Sequence, residues 1–153
     1  MPDFLECTVD KFLFKVARDR FYTSHGAWAM WCQAESGNRV RIGLTDFLQQ
    51  LNGDVAFAAP RPVGTELEAG EEIATMETIK VTFGLPSPVG GTVVEVNPEL
   101  DATPELLNQD PYGAGWLAVV EASDWERDRA ALLEPQAYFC EMKKKAEEET
   151  AKP

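Results

Sequence analysis

Apolar residues in this 153-residue chain fall into short runs cut by turn residues. FLFKV (12–16), WAMWC (28–32), RVRIGL (39–44) and DVAFA (54–58) are rich in aromatic and branched side chains, and several alternate apolar with polar. That period of two predicts half-buried strands. Ser36-Gly37-Asn38 and Gly53-Asp54 supply turn chemistry between them. TDFLQQLN breaks the alternation: Phe47, Leu48 and Leu51 recur at helical spacing behind a Thr45 cap and an early Asp46. One short helix is predicted there.

Residues 63–97, VGTELEAGEEIATMETIKVTFGLPSPVGGTVVEVN, are the most regular stretch. Gly64, Gly70, Gly84 and Gly90-Gly91 punctuate strands expected at 72–77, 79–83 and 92–96. VGTELEAGEEI before Lys80 loosely repeats as VGGTVVEVN after it, which predicts two antiparallel halves meeting at a hairpin around that lysine. Close-spaced strands of this kind suit a small sandwich or flattened barrel. Beyond it, 97–115 reads as a loop with one helical turn near 104–108, and WLAVVEA (116–122) as a last strand. Ser123 and Glu126 form a capping-box pattern for a helix over 125–133. Pro135 either ends that helix or opens another, with Tyr138, Phe139 and Met142 as its apolar stripe. KKKAEEETAKP has no apolar residue larger than alanine. The expectation is therefore one domain over 1–142 and a frayed charged tail over 143–153. Trp28, Trp31, Phe47 and Phe57 read as core.

Composition narrows the partners. A hydrophobic content of 44% with 26% charged residues is that of an ordinary globular protein. The net charge of −12 repels duplex DNA and anionic membranes, leaving basic or neutral proteins as partners. No apolar run reaches the roughly 18–20 residues of a membrane span, and MPDFLECTVDKF lacks the pattern of a secretory signal. A cytoplasmic location and a monomer are expected. Cys7, Cys32 and Cys140 are odd in number and far apart, which fits a reducing compartment. Cys32 and Cys140 are expected to act as small buried hydrophobes, whereas Cys7 sits in a segment that could be exposed.

Catalytic chemistry is thin. The single histidine, His25, lies between Ser24 and Gly26 without an orienting carboxylate, and reads as a turn residue. GxxxxGK[ST], GxGxxG after a strand, CxxC and HExxH are all missing, so neither a nucleotide site nor a metal site is predicted. The chain does not read as an enzyme. Lys80 stands apart: it interrupts an apolar run, follows Glu77 by three residues and precedes Pro86-Ser87-Pro88. A lysine at a hairpin tip projects clear of the domain, and a long acyl group on its amine would become a flexible arm on a rigid base.

Residues 76–94 resemble the lipoyl attachment hairpin, with E-T-I-K followed by V-T-F-G-L-P-S-P-V-G-G-T-V. Biotin carriers share that fold, but they flank the lysine with methionine where Ile79 and Val81 stand here. FYTSHGAWA (21–29), RIGLTDFLQQLNGDVAF (41–57) and NQDPYGAGWLAVV (108–120) are similar, in order, to segments of glycine cleavage H proteins. The resemblance implies a mainly β barrel-sandwich hybrid with a short internal helix and C-terminal helices. It implies lipoate covalently attached to Lys80, with Glu77 recognised by the lipoate-attaching enzyme. Gly43 and Asp46 match a G-[IL]-T-D turn; Asp110, Pro111, Tyr112, Gly113, Gly115 and Trp116 match an architectural D-P-Y-G-x-G-W stretch.

Some residues depart from the glycine cleavage pattern. His25-Gly26-Ala27-Trp28 stands where H-E-W is usual, Thr78-Ile79-Lys80-Val81 where S-V-K-A is usual, and the opening is longer. These departures resemble the H-protein-like lipoate-binding proteins of heterodisulfide-reductase-like sulfur oxidation. That resemblance implies an arm carrying sulfur intermediates and electrons, with a heterodisulfide-reductase-like complex and a dihydrolipoamide dehydrogenase as partners. The alternative is a glycine cleavage H protein carrying an aminomethyl group between a decarboxylase, an aminomethyl transferase and a dehydrogenase. A third reading is an unmodified binding or regulatory module.

Overall fold

The computed structural model describes residues 3–33 and 37–151. The predicted turn at Ser36 and the final two residues of the tail lie outside them. A hairpin opens the chain: β1 (Phe4–Val9) pairs with β2 (Phe12–Ala17) across Asp10 and Lys11 alone. Asp10 has φ 58°, in the left-handed region that Asp tolerates better than most residues. After β3 (Phe21–Tyr22) come β4 (Ala27–Gln33), β5 (Asn38–Leu44) and α1 (Asp46–Asn52). Thr45 caps α1, its hydroxyl accepting from Leu48 N at 3.2 Å, as predicted.

The rest of the sheet structure is β6 (Val55–Pro60), β7 (Glu66–Leu67), β8 (Glu72–Thr78), β9 (Thr82–Pro86), β10 (Gly91–Val96) and β11 (Ala118–Ala122). Six strands form one antiparallel sheet in the order β3-β4-β5-β11-β10-β7, and three form another, β6-β8-β9. Ile42, Leu44 and Val120 of the first sheet share a core with Ile73, Met76 and Leu85 of the second. The mainly β architecture expected from the sequence is thus present. Short helices α2 (Leu106–Gln109) and α3 (Trp125–Ala130) flank β11, and α4 (Pro135–Ala151) closes the chain.

Four local expectations need correction. The strand placed at 79–83 begins only at Thr82, because residues 79–81 form the hairpin connection. The cap of α3 is Asp124, whose carboxylate accepts from Arg127 N, and not Ser123. Trp31 and Phe57 are about half exposed, at 46% and 50%, since each lies beyond the reach of the shared core. The segment expected as a tail from Lys143 is helical, with α4 running to Ala151. Tyr138, Met142 and Ala146 repeat every fourth residue along α4 and are buried where that helix packs on β1, β2 and β3.

Candidate functional site

Lys80 sits at the tip of the β8–β9 hairpin. Thr78 ties that tip. Its hydroxyl accepts from Lys80 N (3.2 Å) and Val81 N (3.0 Å) and donates to Val81 O (3.1 Å), while Thr78 N donates to the same carbonyl at 2.8 Å. A polar side chain in the turn thereby satisfies backbone groups that have no ladder partner. Ile79 is 98% exposed beside the lysine, an unusual position for so apolar a side chain. Glu77 lies on the same hairpin, exposed on β8 opposite Phe57 and Thr82. Among the described residues no ion pair joins it to Lys80.

The Lys80 amine leans toward α1 and donates to Leu51 O at 3.0 Å. Beside it runs a groove of about 320 Å³. The buried rings of Phe14 and Phe47, edge to face at 5.6 Å, make its inner wall with Leu51 and Ala146. Asp10, Phe12, Gln50, Glu149 and Thr150 form its more polar margin. Sequence patterning did not single out this groove. Its walls come from β2, α1, the β8–β9 hairpin and α4, which no sequence window joins.

The D-P-Y-G-x-G-W segment is architectural. Trp28 Nε1 donates to Pro111 O (2.9 Å) and Tyr112 OH to Lys15 O (2.7 Å), while Asp110 accepts from Ala114 N (2.8 Å). Asp46 likewise accepts from Lys15 N at 2.9 Å, binding α1 to β2. Arg20, which the sequence reading passed over, is buried with its guanidinium 4.5 Å from the Trp28 ring and donates to Tyr112 O. A lone arginine between strands carries no sequence signal for burial.

His25 is exposed in a turn. Cys140 is also exposed, contrary to expectation, because it lies on the face of α4 away from Tyr138 and Met142. Cys32 is half-buried. Cys7 is half-buried too, and burial pushes its thiol above the ordinary range, which disfavours the nucleophilic thiolate. No group of three His, Cys, Asp or Glu among the described residues could hold a metal ion. No described helix is long and apolar enough to cross a membrane.

A two-sheet β scaffold that presents one lysine at a tied hairpin tip has the form of a swinging-arm carrier. The model of the "Glycine cleavage H-protein" family matches residues 20–145. Glycine cleavage system H proteins of Thermus thermophilus and Mycobacterium avium are 40% and 42% identical over 123 residues. Those matches span 80% and 78% of this chain and 92% and 91% of theirs. The crystal structure of an H protein from Mycobacterium marinum superposes with a TM-score of 0.69 at 32% identity, covering 79% of this chain and 94% of that one. The chain belongs to the glycine cleavage H-protein family. H proteins hold lipoate covalently on a lysine and act as carriers, not catalysts.

Proposed function

We propose that lipoate is joined in amide linkage to Lys80 Nζ and that the arm carries an aminomethyl group between the enzymes of glycine cleavage. The observation that carries this reading is the tied tip, which holds Lys80 clear of the sheets beside a groove able to shelter the loaded arm. The partners are then the decarboxylase, the aminomethyl transferase and the dehydrogenase, with a separate enzyme attaching lipoate. Glu77 and the fully exposed Ile79, both just before Lys80, offer that enzyme a charged and an apolar contact.

The names of the relatives favour aminomethyl cargo over the sulfur intermediates to which the sequence departures pointed. One of those departures has a local cause in packing. Gly26 has φ +91°, and a Cβ there would lie 2.9 Å from the Leu48 side chain. Glycine is required at that turn by α1, whatever the arm carries.

Intact mass of protein made with a lipoate-attaching enzyme tests the attachment: a lipoyl increment is expected, lost in Lys80→Arg. An unmodified wild-type chain would refute the carrier reading. Incubating the lipoylated protein with glycine and the decarboxylase should add an aminomethyl group. Failure there, with a sulfane adduct formed from a sulfur donor, would instead support sulfur shuttling with heterodisulfide-reductase-like partners.

A further inference from the structure

A separate cleft begins one strand away from the Lys80 hairpin. It has a volume of about 280 Å³ and runs between β6 and the turn after β10. Phe57, Ala59 and Pro60 line one side, and Val96, Pro98 and Asp101 the other. It shares no residue with the groove beside the lysine amine. Phe57, Glu77 and Thr82 are register partners across β6, β8 and β9, so their side chains share one face of that sheet. Ala58 and Met76, next in register, are buried on the opposite face. Phe57 therefore stands half exposed beside Glu77, which precedes Lys80 by three residues, at most about 11 Å of chain.

The far wall of the cleft is fixed in place. Buried Asn97 donates through Nδ2 to Ala114 O and Trp116 O, both at 2.8 Å, and its Oδ1 accepts from Glu99 N at 3.1 Å. A preformed slot of this kind loses little entropy when it is occupied. Its surround is acidic: Asp54 and Glu77 are exposed on the β6 side, Glu99 and Asp101 on the turn side. None of these four carboxylates forms an ion pair among the described residues. Arg61, which follows Pro60, is turned aside and donates through Nε to Glu72 O at 3.0 Å. An apolar slot ringed by unpaired carboxylates suits a basic partner, whereas a second copy of this chain, with its own charge of −12, is repelled. The volume lies at the bottom of the range of small-molecule sites, which fits an anchoring side chain of a protein partner.

We propose that this cleft is a docking site for the enzyme that attaches lipoate, and that it takes one apolar side chain set in a basic surface of that enzyme. The chain has seven lysines, and selecting Lys80 requires contacts that the others lack. The other described lysines lie on the β1–β2 hairpin and on α4, whereas the cleft adjoins the strands that carry Lys80. Because the cleft stands apart from the groove beside the amine, an enzyme seated in it leaves Nζ free to react. The proposal rests on Lys80 being the attachment site. It deepens that reading by extending recognition from Glu77 and Ile79 to a surface off the hairpin.

The test follows lipoyl incorporation into the full-length chain by a lipoate ligase supplied with lipoate and ATP, read by mass on the Lys80 peptide. Lack of incorporation into the wild type overturns the attachment reading itself and is recognised before any variant is compared. Phe57→Ala and Asp101→Lys should each raise KM for the protein roughly fivefold or more, with kcat changed by less than about twofold. Glu66→Lys, the same change of charge at an exposed position of β7, should leave KM within about twofold of wild type. Acetylation of Lys80 by a small activated ester, read on the same peptide, should be equal in all four proteins, because the tip itself is untouched. Added salt should raise the wild-type KM, and should do so less in Asp101→Asn. KM within about twofold of wild type in both cleft variants would overturn the docking site. So would a loss confined to kcat or matched by slower acetylation, since that assigns the effect to the hairpin tip. A wild-type dimer in sedimentation that Phe57→Ala dissolves would overturn it too, by giving the cleft to a second copy of the chain.

Discussion

Lys80 Nζ and the backbone carbonyl of Leu51 meet at 3.0 Å, joining a hairpin tip to the last turn of α1. The final carbonyls of a helix have no intrahelical donor, so a lysine placed there serves the helix while it waits. The contact is exposed and easily exchanged for water. Lys80→Ala should therefore change stability by less than about 0.5 kcal/mol while abolishing lipoylation. Chemical denaturation and intact mass read the two effects separately.

The Thr78 hydroxyl makes three hydrogen bonds within the turn that carries Lys80. Thr78→Val keeps the branched shape but removes all three. The expected result is a loss of about 1 kcal/mol and a slower modification of Lys80, measured as the rate of lipoyl incorporation by mass. Modification at the wild-type rate would show that the tie does not set the presentation of the lysine.

Gly43 lies against Trp28 so closely that a Cβ would come within 2.5 Å of the indole. Trp28 is fully buried and anchored through Nε1 to Pro111 O, leaving it no room to yield. Gly43→Ala should lower stability by about 1–3 kcal/mol, the usual cost of overpacking. Thermal denaturation would show the shift, and lipoylation of the surviving folded protein should be unchanged.

Three buried phenols set the alkaline limit of the fold. Burial pushes Tyr22, Tyr112 and Tyr138 above the ordinary tyrosine range. Each folded-state value exceeds the unfolded one, so the stability they contribute is complete below about pH 10 and is lost as pH rises through the raised values. The denaturation midpoint should show no tyrosine-linked change up to about pH 9 and fall above about pH 10. Tyr22→Phe should flatten that fall. It should also cost about 1–2 kcal/mol near neutral pH, because Ala17 O loses its buried donor.

Legibility in the sequence followed how local each feature is. The Thr45 cap and the spacing of Phe47, Leu48 and Leu51 predict α1 because a helix is read from its own turns. Alternation likewise predicts β2, β4 and β5. The hairpin at Lys80 shows in its punctuation, though the strand after it starts at Thr82 and not at Ile79. β1 was harder to see, since the Asp10-Lys11 turn lacks the glycine that marks most tight hairpins. The end of α4 was harder still: Ala146 looks like part of a charged tail, and only its packing against the hairpin makes it core. The groove combines those two least legible pieces, so the hairpin lysine could be read from the sequence and its surroundings could not.

Chain order gives the groove beside Lys80 a consequence in time. Lys80 lies in a hairpin made of near neighbours, whereas Ala146, Glu149 and Thr150 follow it far downstream. Synthesis proceeds from the N-terminus. Lys80 thus leaves the ribosome before the residues that close one side of the groove beside it. A modifying enzyme acting on the emerging chain would meet Lys80 before Ala146, Glu149 and Thr150 had joined the groove.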